Sequence, residues 1–76
     1  MRISFAATAG QRLEVGIYDA GGRRVRTIRE ATVVEGEAVL RWDGRDDDGG
    51  LVSPGAYFAV LSSRGMKASR KLVAVR

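Results

Sequence analysis

Four aspartates lie close together in the segment Asp43-Gly44-Arg45-Asp46-Asp47-Asp48-Gly49, and clustered carboxylate oxygens are the ligands that Ca²⁺ takes in proteins. The spacing does not fit a helix-loop-helix calcium site. With Gly49 at the sixth position of such a loop, only Asp46 and Asp48 fall on ligand positions. Asp side chains also accept hydrogen bonds from turn amides, and Gly takes the positive φ angles of turns. The segment therefore predicts a structural turn, with a non-standard Ca²⁺ site at Asp43, Asp46 and Asp48 as the alternative.

Side chains that carry out nucleophilic or acid–base chemistry are scarce. The chain has no His and no Cys, which excludes His-based triads, thiol chemistry and thiolate metal sites. Ser69 and Lys71 lie two residues apart and would share one face of a strand, which a solvated strand face explains without catalysis. The sequence thus predicts a protein that is not an enzyme and that has no cofactor and no small-molecule substrate.

Basic residues exceed acidic ones, with 13 Lys and Arg against 9 Asp and Glu and a net charge of +4. A basic stripe that could follow a phosphate backbone would consist of Arg23, Arg24, Arg26, Arg29 and Arg41. Single-strand binders also need exposed aromatic side chains, for which Tyr18 and one of Tyr57 and Phe58 remain. A small basic β-barrel that binds nucleic acid is the alternative function. We favour the interpretation that the chain does not bind nucleic acid, because a genome of biased composition also produces Arg-rich proteins with this net charge.

The elements that must position these residues are β-strands, because apolar residues alternate with polar ones along most of the chain. Asp19 to Gly22 has the composition of a tight hairpin turn, and a second turn is expected at Glu35-Gly36. Val25 and Ile28 are three residues apart, which breaks the alternation and predicts a bulge. Pro54-Gly55 is expected to form a further turn with Gly at its second central position. No pattern predicts a helix.

The predicted core is drawn from the inward positions of these strands. Trp42 is its expected anchor, since it removes more apolar area from water than any other side chain here. Tyr57 begins a late strand just after a Gly, as the tyrosine corner of a β-sandwich does. The predicted core residues are Leu13, Val15, Ile17, Leu40, Trp42 and Tyr57. About seven short strands in 76 residues describe one domain, residues 1–76, with an antiparallel β-sandwich of the immunoglobulin or fibronectin type.

Five blocks of the sequence, in this order, resemble the Ig-like domain of the flagellar hook-capping protein and are similar to the C-terminal sorting domains of type IX secretion substrates. The blocks are Leu13-Glu14-Val15-Gly16-Ile17-Tyr18-Asp19, Gly22-Arg23-Arg24-Val25-Arg26-Thr27-Ile28, Trp42-Asp43-Gly44-Arg45-Asp46-Asp47-Asp48-Gly49, Pro54-Gly55-Ala56-Tyr57-Phe58 and Arg70-Lys71-Leu72-Val73. The chain departs from the family pattern at Pro54, which stands where a small polar residue is usual.

The resemblance implies a non-catalytic accessory module, located at the C-terminus of a larger exported bacterial protein. Its role would be that of a structural spacer, an assembly contact or a secretion and sorting domain. Its partner would be another protein or the secretion machinery, and its location the cell surface or the extracellular space, with a signal peptide upstream. No apolar stretch approaches the roughly 18 residues of a membrane-spanning helix.

The last predicted strand, Lys67 to Arg76, is the expected contact. A terminal strand at the edge of a sandwich has unpaired amides that can pair with a partner or with a second copy of the chain. Basic side chains can instead blunt such an edge, and the sequence favours neither interpretation. The predicted interaction residues are Lys67, Arg70, Lys71, Leu72, Val73 and Arg76.

Overall fold

The described part of the chain comprises residues 1–7, 13–29, 32–63 and 66–75 in a computed structural model. These residues form seven β-strands and no helix. The strands are β1 (Arg2–Ala6), β2 (Glu14–Asp19), β3 (Arg24–Ile28), β4 (Thr32–Val34), β5 (Glu37–Arg41), β6 (Gly55–Ser63) and β7 (Met66–Ala74). Arg76, one of the predicted interaction residues, lies outside the described residues.

The strands build two antiparallel sheets. One has three strands in the order β1-β5-β4, and the other has four in the order β3-β2-β6-β7. The predicted all-β Ig-like sandwich is confirmed. The alternative function, nucleic-acid binding, was expected of a small basic β-barrel, and two separate sheets do not form one.

The core lies between the sheets, because alternate residues of each strand point toward the facing sheet. Its buried members are Ile3, Phe5, Val15, Ile17, Leu40, Trp42, Tyr57, Ala59, Leu61 and Ala74, and Leu13 packs against them half-buried. Trp42 is 1% exposed and meets Tyr57 edge-on, with ring centroids 5.4 Å apart. The Tyr57 hydroxyl donates a 2.6 Å hydrogen bond to the carbonyl of Ser53, four residues upstream, which is the bonding pattern of a tyrosine corner.

Two hairpin turns contain residues with positive φ angles. In the β2–β3 turn, the Asp19 carboxylate accepts hydrogen bonds from the N–H groups of Gly21 and Arg23, at 3.0 and 2.9 Å, and Gly22 has φ 87°. In the β4–β5 turn, Glu35 and Gly36 have φ 50° and 78°, the signature of a two-residue turn that matches the twist of its strands.

The chain at Pro54-Gly55 differs from the predicted turn. Gly55 is the first residue of β6, where it pairs with Ala74 and has φ 151°. A Gly at the second central position of a type II turn would have φ near +80°. Pro54 therefore ends the preceding loop, and the chain enters β6 without the reversal that the sequence predicts.

Candidate functional site

The acidic loop, residues 43–51, is held together by its own hydrogen bonds. The Asp46 carboxylate accepts from the N–H groups of Asp48 and Gly50, both at 3.0 Å, and the Asp43 carboxylate accepts from the N–H of Arg45 at 3.0 Å. Within the described ranges, no group of three or more acidic side chains is arranged to hold a metal ion. Asp43, Asp46 and Asp48 are thus not brought together as Ca²⁺ ligands, and two of the three carboxylates bind turn amides.

The core anchor positions this loop. The indole N–H of Trp42 donates to the carbonyl of Arg45 at 2.9 Å, and the Arg45 guanidinium donates to the carbonyl of Gly49 at 2.8 Å. Arg45 also forms a β-bridge with Leu51, which closes the loop at its base. The loop is therefore a built element of the fold, fixed to the interior through Trp42.

Arg26 reaches into the acidic loop from β3. Its guanidinium donates to the Asp43 carboxylate at 3.3 Å and to the carbonyl of Arg45 at 3.0 Å, and it lies 3.8 Å from the Asp47 carboxylate. Its side chain is only 30% exposed. Its Nη1 and Nε groups are therefore directed at the oxygens of the loop.

The predicted bulge explains why Arg26 is in this position. Tyr18 pairs with Arg24, but the preceding residue, Ile17, pairs with Arg26, so Val25 is an extra residue in β3. Because of that residue, Arg24 lies on the outer face of the sheet and Arg26 on the side of the core. The basic stripe considered under the nucleic-acid alternative therefore does not form with both arginines on one face.

The other members of the predicted stripe are paired or distant. Arg23 lies 3.7 Å from the carboxylate of Asp19, and Arg24 and Arg29 lie 3.9 and 3.4 Å from that of Glu14. Arg41 belongs to β5, in the three-stranded sheet. Such exposed ion pairs contribute little stability, but they reduce the positive charge that would attract a phosphate backbone.

The free edge of β3 is closed by a loop residue. Asp47 donates its backbone N–H to the carbonyl of Val25 at 2.9 Å, and its carboxylate accepts from the N–H of Thr27 at 3.1 Å. Asp47 thus satisfies the donor and acceptor that an added strand would use. Sequence reasoning missed this contact, because neither Asp47 nor Thr27 has a pattern that points to the other.

The edge at the opposite side of the same sheet, β7, pairs only with β6 among the described strands. The predicted interaction residues of β7 divide between its two faces. Leu72 and Arg70 pair with the inward-facing Tyr57 and Ala59, and the Arg70 guanidinium lies 5.1 Å from the centre of the Phe5 ring. Lys67, Lys71 and Val73 lie on the outer face, where all three are exposed.

Comparison with protein families places these observations in context. The model of the FlgD Ig-like domain matches residues 1–66. The chain belongs to the FlgD Ig-like domain family. This is a structural, non-enzymatic family of bacterial domains, named after the Ig-like domain of the flagellar hook-capping protein. Comparisons with curated proteins and with solved structures give no match.

The FlgD Ig-like match includes β1 to β6 in full and ends where β7 begins. The acidic loop, Arg26 and the Trp42 anchor lie within the matched residues, and the surface of β7 lies beyond them. In the described part of this FlgD Ig-like chain, no helix has the length and apolar character needed to cross a membrane.

Proposed function

We propose that this chain is a non-catalytic assembly module of a larger exported bacterial protein, and that it contacts its protein partner through the edge of β7. One observation carries the proposal. The two edges of the four-stranded sheet differ. Asp47 forms hydrogen bonds with the edge of β3, whereas no described residue covers the free edge of β7. An uncovered edge strand is a template for an added strand.

The length of β7 supports this assignment. β7 has nine residues, whereas the edge strands β1 and β4 of the other sheet have five and three. Each residue of an edge strand adds to the main-chain hydrogen bonds that a partner strand can form, so β7 offers the largest template. Membership of a family of assembly domains agrees with a protein partner.

The charge of β7 indicates what kind of strand it accepts. Lys67, Arg70 and Lys71 are its charged residues, and Met66–Ala74 contains no carboxylate. A partner strand that carries acidic residues would be favoured over a basic one. The same charges discourage pairing with a second β7, which would place like charges side by side.

We also propose where the module lies within the longer protein. We place it at the C-terminal end of an exported protein, where it serves as an assembly contact, and a secretion or sorting role would use the same strand. Fusion of the chain to a passenger protein with a signal peptide separates the two roles. Sorting predicts that the fused passenger is carried to the cell surface, and assembly predicts that it reaches the periplasm without being carried further.

Photo-cross-linking in cells that produce the intact parent protein tests the contact. A benzophenone amino acid is placed at Lys67 or Val73 on β7, and at Glu37 or Arg41 on β5 as matched exposed controls. The proposal predicts, from the β7 positions only, one discrete cross-linked species that contains a different protein, distinct in mass from any cross-linked pair of parent chains. No product from β7, or equal products from β5, would show that the partner is held elsewhere.

A further inference from the structure

The outer face of the four-stranded sheet carries four side chains in one row across all its strands. Arg24 pairs with Tyr18, Tyr18 with Phe58, and Phe58 with Lys71. Because directly opposed residues in antiparallel strands point to the same face, two aromatic rings lie side by side between two cations. We name these residues the aromatic row.

Apolar residues extend the aromatic row along the sheet. Phe58 is 38% exposed and Val73 is 58% exposed, and the half-buried Val60 lies two residues from Phe58 on the same face. The Tyr18 ring lies over Gly16, where an added Cβ would be 2.9 Å from the ring atom Cε1. The centre of this outer face is therefore apolar, which marks a surface suited to a partner.

Cations surround this apolar centre. Lys67 and Lys71 lie on the outer face of β7, and the outer positions of β6 and β7 have no carboxylate. The one acidic residue on the outer face of β2, Glu14, is already near Arg24 and Arg29. A ligand for this face must be acidic and must also offer apolar area.

The chain itself has a surface of that composition. The acidic loop exposes the carboxylates of Asp47 and Asp48, and Leu51 in the same loop is 55% exposed. Arg26 and Arg45 offset only part of the charge of the four aspartates. The face and the loop thus have opposite charge, and each includes exposed apolar residues.

We propose that the aromatic row of one copy docks the acidic loop of a second copy. The contact joins two different surfaces, so a pair of copies keeps one free loop and one free face, and association can continue head to tail. It is separate from the β7 edge contact, which uses main-chain groups and a different protein.

Two charge reversals test the contact by complementation. Lys71→Glu reverses a charge in the aromatic row, and Asp48→Lys reverses a charge in the acidic loop. Both residues are exposed. Arg41→Glu and Glu37→Lys on β5 are matched controls, because they make the same changes in net charge on the other sheet. Each variant is studied by sedimentation velocity at about 50 mM and about 500 mM salt, since salt screens charges at a surface.

We expect the wild-type chain and both controls to self-associate at low salt and to dissociate at high salt. Each of the two variants alone should associate about tenfold more weakly, because like charges then meet at the contact. An equimolar mixture of the two should regain association, because the intact loop of Lys71→Glu meets the intact face of Asp48→Lys and the two reversed charges are also opposite in sign.

Two results would overturn the proposal. One is a wild-type chain that stays monomeric at low salt, and the other is a mixture of the two variants that associates no more strongly than either variant alone. If the monomeric wild-type chain binds an oligothymidine and Lys71→Glu does not, the aromatic row is assigned to single-stranded nucleic acid.

Discussion

The backbone N–H of Thr27 donates a hydrogen bond to the carboxylate of Asp47, across 3.1 Å and from one strand to a distant loop. Together with the bond from the Asp47 N–H to Val25, it closes the β3 edge with a single residue. An unblocked edge can recruit strands from other molecules, and β7, at the opposite edge, pairs with β6 alone among the described strands.

Asp47→Ala should open the β3 edge at Thr27, while the backbone bond from residue 47 to Val25 remains. The Thr27 amide loses its acceptor, so its hydrogen exchange should accelerate by about tenfold or more, and the free energy of unfolding should fall by about 1 kcal/mol. NMR exchange rates and urea unfolding measure the two effects. Asp47→Asn, which keeps a carbonyl oxygen, should retain much of the protection. A Thr27 amide whose exchange is unchanged in Asp47→Ala would show that the bond does not protect this edge.

Arg26→Ala should destabilise the domain more than Arg24→Ala. Arg26 is partly buried and bonds several loop oxygens, whereas Arg24 makes one long, exposed ion pair. We expect a loss of about 1–2 kcal/mol for Arg26→Ala and less than about 0.5 kcal/mol for Arg24→Ala. Urea unfolding of both variants gives the comparison, and equal losses would mean that the loop does not depend on Arg26.

Tyr57→Phe removes one hydrogen bond from the core edge while keeping the ring against Trp42. The Ser53 carbonyl loses its partner, and the free energy of unfolding should fall by about 1–2 kcal/mol. Tyr18→Phe is the control, because its hydroxyl lies on the outer face, and it should change stability by less than about 0.5 kcal/mol. Two Phe variants of equal stability would contradict the role assigned to the Tyr57 hydroxyl.

Gly16→Ala should reveal how closely the Tyr18 ring covers the sheet. The added methyl meets the ring at 2.9 Å, so the ring must move, and we expect a cost of about 1 kcal/mol. In a Tyr18→Ala background the same substitution should be neutral or stabilising, since Ala costs less backbone entropy than Gly in a strand. A double-mutant cycle measures this coupling, and strict additivity would indicate that the ring does not restrict Gly16.

Strand alternation predicted part of the interior, but not the buried Ala59, Leu61 and Ala74. Val15, Ile17, Leu40 and Trp42 follow period two, and all four are buried. Alternation could not say which face of the last strand points inward, because Leu72 and Val73 are equally apolar. In the structure Leu72 packs against the core and Val73 is exposed, a choice fixed by pairing with β6.

The basic stripe of the nucleic-acid alternative could not be judged from the sequence for a related reason. The sequence indicates a bulge between Val25 and Ile28, but the face of Arg26 depends on which residue is the extra one. Contacts between Arg26, Asp47 and the acidic loop join segments far apart in the chain, so no local pattern encodes them. The tyrosine-corner bond of Tyr57, in contrast, spans four residues and follows from a local motif.

The sheet order has a consequence for how this domain folds. The pairs β2–β3, β4–β5 and β6–β7 join neighbours in the chain, whereas β1 must find β5 and β2 must find β6. Closing long loops costs entropy before any contact compensates for it, so the long-range pairings should be the slow steps. Trp42 packs against Tyr57 of the opposite sheet, and its fluorescence will therefore change mainly when the two sheets come together.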